Sequence, residues 1–249
     1  MGPPFALLRA DGGPEIGLGH VMRSLALGEG LVELGWKVAL ASSGAPAAVL
    51  QAAEAASIAH HQIGGPSGAG EDAEQVASLR PDLVVVDGYH FHGSFYRTLG
   101  KHRCAHAVID DNSETKASEP ILVLNQNPHA QASMYARFPE ATLLLGLGFV
   151  LLRRAVREIG PAESQERIRP RVLISIGGSD PLDLTISIAR EAAQLDVDLR
   201  VAIGPSNCRG NEIRGMVETI DNASVVDPRA YAAELAASDC AIIGAGSTL

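Results

Sequence analysis

Leu83-Val84-Val85-Val86-Asp87-Gly88-Tyr89-His90 is the stretch whose reading decides the fold. Four consecutive apolar residues followed by Asp-Gly read as a strand buried on both faces and ending in a polar turn. Continuous runs of this kind mark a parallel sheet with helices on each side. On either side of it, short apolar runs at 5–11, 37–42, 58–63, 105–110, 121–125 and 142–147 alternate with helical patterns, as βαβ units require. Leu143-Leu144-Leu145 repeats the continuous pattern. Between the first two runs, His20 to Leu34 places Val21, Leu25, Leu31 and Leu34 at helical spacing, and Gly35 follows as a C-cap.

The pattern changes over Leu152 to Arg171, where Arg153-Arg154, Arg157-Glu158 and Arg169-Pro170 form a charged, proline-containing stretch. It reads as a linker, giving a first domain over 1–152, a linker over 153–170 and a second domain over 171–249. A second α/β series then runs as strand 171–176, helix 181–195, strand 198–203, helix 210–220, strand 224–227, helix 229–238 and strand 240–244. The last strand leads into Gly244-Ala245-Gly246-Ser247-Thr248, a turn that normally opens a helix, and one residue later the sequence stops. The expectation is an incomplete second domain whose uncovered edge invites self-association.

The 249 residues carry 20 Lys and Arg against 29 Asp and Glu, for a formal charge of −9. That balance, without a basic cluster, argues against nucleic acid or an anionic membrane as the main partner. Three scattered cysteines, Cys104, Cys208 and Cys240, suggest neither a disulfide framework nor a zinc site, so a reducing cytoplasm is the simple reading. The first residues lack the basic region of a signal peptide. The longest uncharged apolar run, Ala141 to Leu152, is shorter than the ~20 residues a spanning helix needs. No motif calls for a metal or a cofactor.

Chemistry concentrates where strands end. Asp11-Gly12-Gly13-Pro14-Glu15-Ile16-Gly17-Leu18-Gly19-His20 joins the first strand to the first helix. Its glycines let backbone approach a ligand, and a helix N-terminus offers N–H groups to an anion. The spacing is not G-x-G-x-x-G, which speaks against a dinucleotide site. His20 stands at the positive end of the helix dipole, where a neutral imidazole able to take a proton is favoured. A tight turn with a polar cap accounts for Gly17 to His20 equally well. Asp87, Tyr89 and His90 follow the central strand at the edge where open α/β sheets place ligands. His90-x-His92 lacks a third metal ligand and reads as loop. Asp110-Asp111-Asn112 and Asn125-Gln126-Asn127 supply hydrogen-bonding groups of the kind polyols need, although turns use the same residues. Ser175-Ile176-Gly177-Gly178-Ser179-Asp180-Pro181 has the build of a helix start and a phosphate cradle, and the closing Gly-Ser-Thr turn repeats it.

Taken in order, Arg9-x-Asp11-Gly12-Gly13, Gly17-x-Gly19-His20-x-Met22-Arg23, Val86-Asp87-x-Tyr89, Gly146-x-Gly148-Phe149, Gly177-Gly178-Ser179-Asp180 and Gly246-Ser247-Thr248 resemble the UDP-2,4-diacetamido-2,4,6-trideoxy-β-L-altropyranose hydrolase family of pseudaminic acid biosynthesis and its spore-coat polysaccharide relatives. The resemblance implies a GT-B architecture of two Rossmann-like domains with parallel sheets. It also implies hydrolysis of a UDP-linked sugar with inversion at the anomeric carbon. On it His20 is the base, Tyr89 and Asp11 complete the catalytic set, and Gly17, Gly19, Arg23, Asp87 and Asn125 contact substrate. Gly177, Gly178, Ser179, Asp180, Gly246, Ser247 and Thr248 would bind the nucleotide. Two rival readings stay open: a glycosyltransferase on the same scaffold, and a catalytically silent binding module.

Overall fold

The computed structural model describes residues 2–13, 16–160 and 167–244. The chain divides into two compact units, Met1–Gly12 with His20–Arg153, and Gly13–Gly19 with Arg154–Leu249.

The first unit runs β1 (Phe5–Ala10), α1 (Gly19–Glu33), β2 (Lys37–Ser42), α2 (Ala47–Ala55), β3 (Ala59–Gln62), α3 (Gly70–Ser78), β4 (Leu83–Asp87), α4 (Gly93–Lys101), β5 (His106–Ile109), β6 (Leu122–Asn125) and β7 (Thr142–Leu145). Its sheet has the order β3-β2-β1-β4-β5-β6-β7, and every pairing is parallel. Alternation along the strands sorts side chains between the two faces. Leu7, Val84, Val86, Val108 and Val123 pack with Val76 of α3, Phe95, Tyr96 and Leu99 of α4, and Tyr135. The opposite face holds α1, which lies close to the sheet because Gly28 has no side chain. A Cβ there would stand 2.7 Å from Ile58 Cδ1 and 2.9 Å from Leu8 Cδ1.

A short helix α5 (Arg154–Arg157) lies inside the stretch read as linker. The second unit continues with β8 (Arg171–Ser175), α6 (Leu184–Ala192), β9 (Asp198–Ala202), α7 (Gly210–Val217), β10 (Ala223–Val225), α8 (Tyr231–Ala237) and β11 (Cys240–Ile243). Its four strands, ordered β10-β9-β8-β11, are again all parallel. Ile174, Leu199 and Val201 meet Ile186, Ala189, Ile213 and Val217 in a core of their own. Two Rossmann-like units with parallel sheets constitute a GT-B-type fold.

One element departs from expectation. Helix α6 begins at Leu184 and not at Pro181, because Asp180 and Asp183 both hold left-handed backbone (φ 47° and 53°) that interrupts the turn. Among the described residues, no helix is long and apolar enough to cross a membrane.

Candidate active site

The direction in which the first sheet grows reverses between β1 and β4, so their carboxyl ends border the crevice where sheets of this class bind ligands. Register places Ala10 beside Asp87, with Asp11 one residue beyond. Strand parity then sends the two polar ends to opposite faces. Arg9 shares the face of Leu7 and reaches α3, whereas Asp87 shares the face of Val85 and reaches α1.

On the α1 side, Asp87 is fully buried and accepts three bonds. Arg23 donates from Nε at 2.6 Å and from Nη2 at 2.7 Å, and His20 Nδ1 lies 2.7 Å from Oδ1. The carboxylate oxygen requires the hydrogen on Nδ1, which leaves Nε2 as the ring atom available to a substrate. Arg23 also donates from Nη1 to Asp111 at 2.8 Å. Burial works against its charge, but hydrogen bonds to Asp87 and Asp111 and their charges outweigh that and raise its pKa further. Burial likewise opposes ionisation of Asp111, while Arg23, Tyr89 and Asn127 pull its pKa below the usual range. Tyr89, 58% exposed, meets the His20 ring edge-on at 4.8 Å and donates its hydroxyl to Asp111 at 2.8 Å. Desolvation and that bond to Asp111 push the phenol well above its ordinary value. It stays protonated, so its hydrogen remains committed to Asp111.

On the α3 side, Arg9 is buried completely between two carboxylates. It donates to Asp72 from Nε (2.9 Å) and Nη2 (2.6 Å), and to Asp11 from Nη1 (2.7 Å) and Nη2 (3.0 Å). Asp11 also accepts from Ser43 N (2.7 Å), Ser67 Oγ (2.5 Å) and His90 Nε2 (2.9 Å). Burial raises its pKa, but His90, Arg9 and Ser67 together hold it far below the usual carboxylate range. So satisfied a group takes no proton. Asp11, expected in the catalytic set, has both its oxygens engaged by these partners.

Asn125, expected to contact substrate, likewise spends its polar atoms within the protein. It is fully buried, its Nδ2 donates to the Asp111 carbonyl (3.0 Å) and Tyr135 Oη (2.9 Å), and its Oδ1 accepts from Asn127 N (3.0 Å) and Nδ2 (2.9 Å). It positions Asn127, which donates to Asp111 at 2.9 Å. Gly13 and Gly17 bond each other in both directions (3.1 and 2.8 Å), with Gly17 at φ 80° where a side chain would be strained. Their amides are spent on this loop and not on an anion. Gly19 is the exposed first residue of α1. Sequence reasoning missed Asp72, Ser67 and the role of His90. The Gly/Ser patch 64–70 was the available signal, since Gly68 N donates to Asp72 at 2.7 Å. Among the described residues, no group of three His, Cys, Asp or Glu is placed to hold a metal.

In the second unit, Gly177 (φ 93°) and Gly178 form the β8–α6 turn at the sheet's carboxyl edge. Gly204 crosses it so closely that a Cβ would stand 2.2 Å from the Gly178 carbonyl oxygen, and Ser206 N donates to that oxygen at 3.0 Å. Ser179 is half-buried beside them. Asp180, read as a nucleotide ligand, is 3% exposed and accepts from Leu184 N and Thr185 N, both at 2.9 Å. Its carboxylate therefore fills the α6 N-terminus that a phosphate would otherwise use. Gly246, Ser247 and Thr248 lie outside the described residues.

No family model matches the chain. An uncharacterized protein of Methanocaldococcus jannaschii, MJ1062, is 22% identical over 217 residues, covering 84% of this chain, and the chain spans only 44% of that protein. Among solved structures, the chain is similar to MurG of Acinetobacter baumannii (TM-score 0.54, 17% identity, 99% of this chain and 73% of that one). It is also similar to the glycosyltransferase SnogD of Streptomyces nogalater (0.58, 18%, 99% and 78%). A third neighbour is the UDP-GlcNAc 2-epimerase of Neisseria meningitidis bound to UDP-GlcNAc (0.60, 11%, 98% and 78%). These findings confirm the GT-B-type fold and correct the hydrolase reading, because the neighbours are glycosyltransferases and epimerases. The physical reason is that glycine turns and polar strand ends build the crevice of the whole fold class. They do not encode which nucleophile enters it.

Proposed function

We propose that the chain carries the GT-B core of a glycosyltransferase of glycan or polysaccharide assembly, which uses a nucleotide-linked sugar such as a UDP-sugar. The observation that carries this reading is the 2.7 Å contact of His20 Nδ1 with buried Asp87, which orients Nε2 as a base. Nε2 takes the proton of an acceptor hydroxyl while its oxygen attacks the anomeric carbon. The C–O bond to the diphosphate breaks and its electron pair leaves with the nucleotide. Asp87 stabilises the imidazolium that forms, and Arg23 keeps Asp87 in place. The first unit's clusters each hold two carboxylates to one arginine, an environment suited to neutral hydroxyls more than to phosphate. The nucleotide-binding role of Gly177, Gly178 and Ser179 in the second unit is part of the same proposal, with Asp180 shaping that turn.

The test is release of UDP from a panel of UDP-sugars with and without hydroxyl acceptors. Release should depend on an acceptor. It should fall ~10²–10⁴-fold in His20→Asn, whose amide nitrogen can keep the bond to Asp87 while Nε2 is lost. Equal release in water alone overturns the transfer reading. Conversion of the sugar without release of UDP would assign epimerisation in its place.

A further inference from the structure

The two polar clusters of the first unit are built alike. Arg23 lies between Asp87 and Asp111 with His20 on Asp87, and Arg9 lies between Asp11 and Asp72 with His90 on Asp11. Asp11 already accepts from Arg9, Ser67 and Ser43, so it does not need His90 to be satisfied. The bond acts instead on the imidazole. It fixes the ring, because the ionised oxygen demands the hydrogen on Nε2, and Nδ1 is the nitrogen left without a partner among the described residues. The ring packs on Phe91 at 4.3 Å and over Gly88, where a Cβ would stand 2.9 Å from Cε1 and 3.1 Å from Nδ1. Its side chain is 27% exposed, so the cluster holds it in place without sealing it from solvent. It follows β4 directly, at the same switch point as Asp87 and His20.

Resting on the nucleotide-sugar reading above, we propose that His90 is a second substrate-contacting residue, its Nδ1 hydrogen-bonding a hydroxyl of the bound sugar. A hydroxyl fits better than a phosphate because Asp11 and Asp72 outnumber the one arginine beside them, so the neighbourhood disfavours an anion. A neutral partner able to donate or accept suits a ring nitrogen in either state.

His90→Gln isolates the contact. The glutamine Nε2 can keep the bond to Asp11, while nothing replaces Nδ1. Calorimetric titration with UDP-N-acetylglucosamine and with UDP should show ~3–10-fold weaker binding of the sugar nucleotide in the variant, the loss of one neutral hydrogen bond, and unchanged binding of UDP. Equal binding of both probes to both proteins overturns the proposal, as does a parallel loss for both probes. A wild-type chain that binds neither probe overturns it together with the reading it rests on. Should the variant fail to fold, nitrogen NMR of the wild-type imidazoles decides. The His90 Nδ1 resonance should move on adding UDP-N-acetylglucosamine and stay fixed on adding UDP, and the same response to both ligands or to neither refutes the contact.

Discussion

At Tyr89 the phenol oxygen donates to Asp111 at 2.8 Å, and burial with that bond raises its pKa. It therefore cannot share the role given to His20. Tyr89→Phe should lower kcat/KM by less than ~10-fold, the scale of one hydrogen bond, and should cost about 1 kcal/mol or less in stability. A loss as large as that of His20→Asn would move the base to Tyr89. Asp87→Asn probes the other side of the histidine. It leaves the buried Arg23 short of a counter-charge, so urea unfolding should show a destabilisation of about 3–5 kcal/mol. A variant as stable as the parent would mean that Arg23 is balanced by Asp111 alone. At this scale the sequence was informative where contacts are local. His20 and Arg23 are one helical turn apart, and both they and Asp87 border legible turns. Asp72 was invisible because its partner Arg9 is 63 residues away, and no pattern announces a buried ion pair at that separation.

Among the elements, most strands were legible nearly to the residue, because runs such as Leu83-Val84-Val85-Val86 and Leu143-Leu144-Leu145 are continuously apolar and close on Asp or Gly. The start of α6 was not. Asp180 and Pro181 carry the residue types of a helix cap and first turn, but the left-handed backbone at Asp180 and Asp183 is a choice that composition does not display. The crossing of two turns at Gly204 is equally silent in sequence, since it depends on β9 lying beside β8. Gly204→Ala drives a Cβ into the Gly178 carbonyl, a backbone atom that cannot rotate away. The β9–α7 turn must lift off Gly177 and Gly178, at a cost of about 1–3 kcal/mol. Far-UV circular dichroism in urea should register the loss, and UDP affinity should fall with it. Unchanged stability and affinity would show that the two turns do not need to touch.

At the scale of the whole molecule, the buried carboxylates among the described residues fall mostly in the first unit, and acid makes the difference measurable. Asp11 and Asp111, both in the first unit, titrate below an ordinary carboxylate because their arginine and hydrogen-bond partners outweigh burial. An unfolded Asp titrates near ~3.9, so the unfolded chain binds more protons than the folded one below about pH 4. The stability these groups contribute is complete above that value and is lost as pH falls toward their folded-state pKa values. In the second unit Asp239 and Glu212 are also lowered, by Arg171 and Arg209 respectively, but both stand in solvent, where ion pairs contribute little. Trp36, the sole tryptophan, belongs to the first unit and reports on it alone, whereas circular dichroism reports on both cores. Between pH 5 and 2.5 the urea midpoint followed by Trp36 fluorescence should fall more steeply than the midpoint of the remaining ellipticity change. Asp11→Asn should lower the fluorescence midpoint at pH 7, because Arg9 loses a charged partner, and should make its acid slope shallower by up to about 1.4 kcal/mol per pH unit. Parallel decline of both signals, or an acid slope in Asp11→Asn as steep as in the parent, would place the acid-sensitive groups outside the Arg9 cluster.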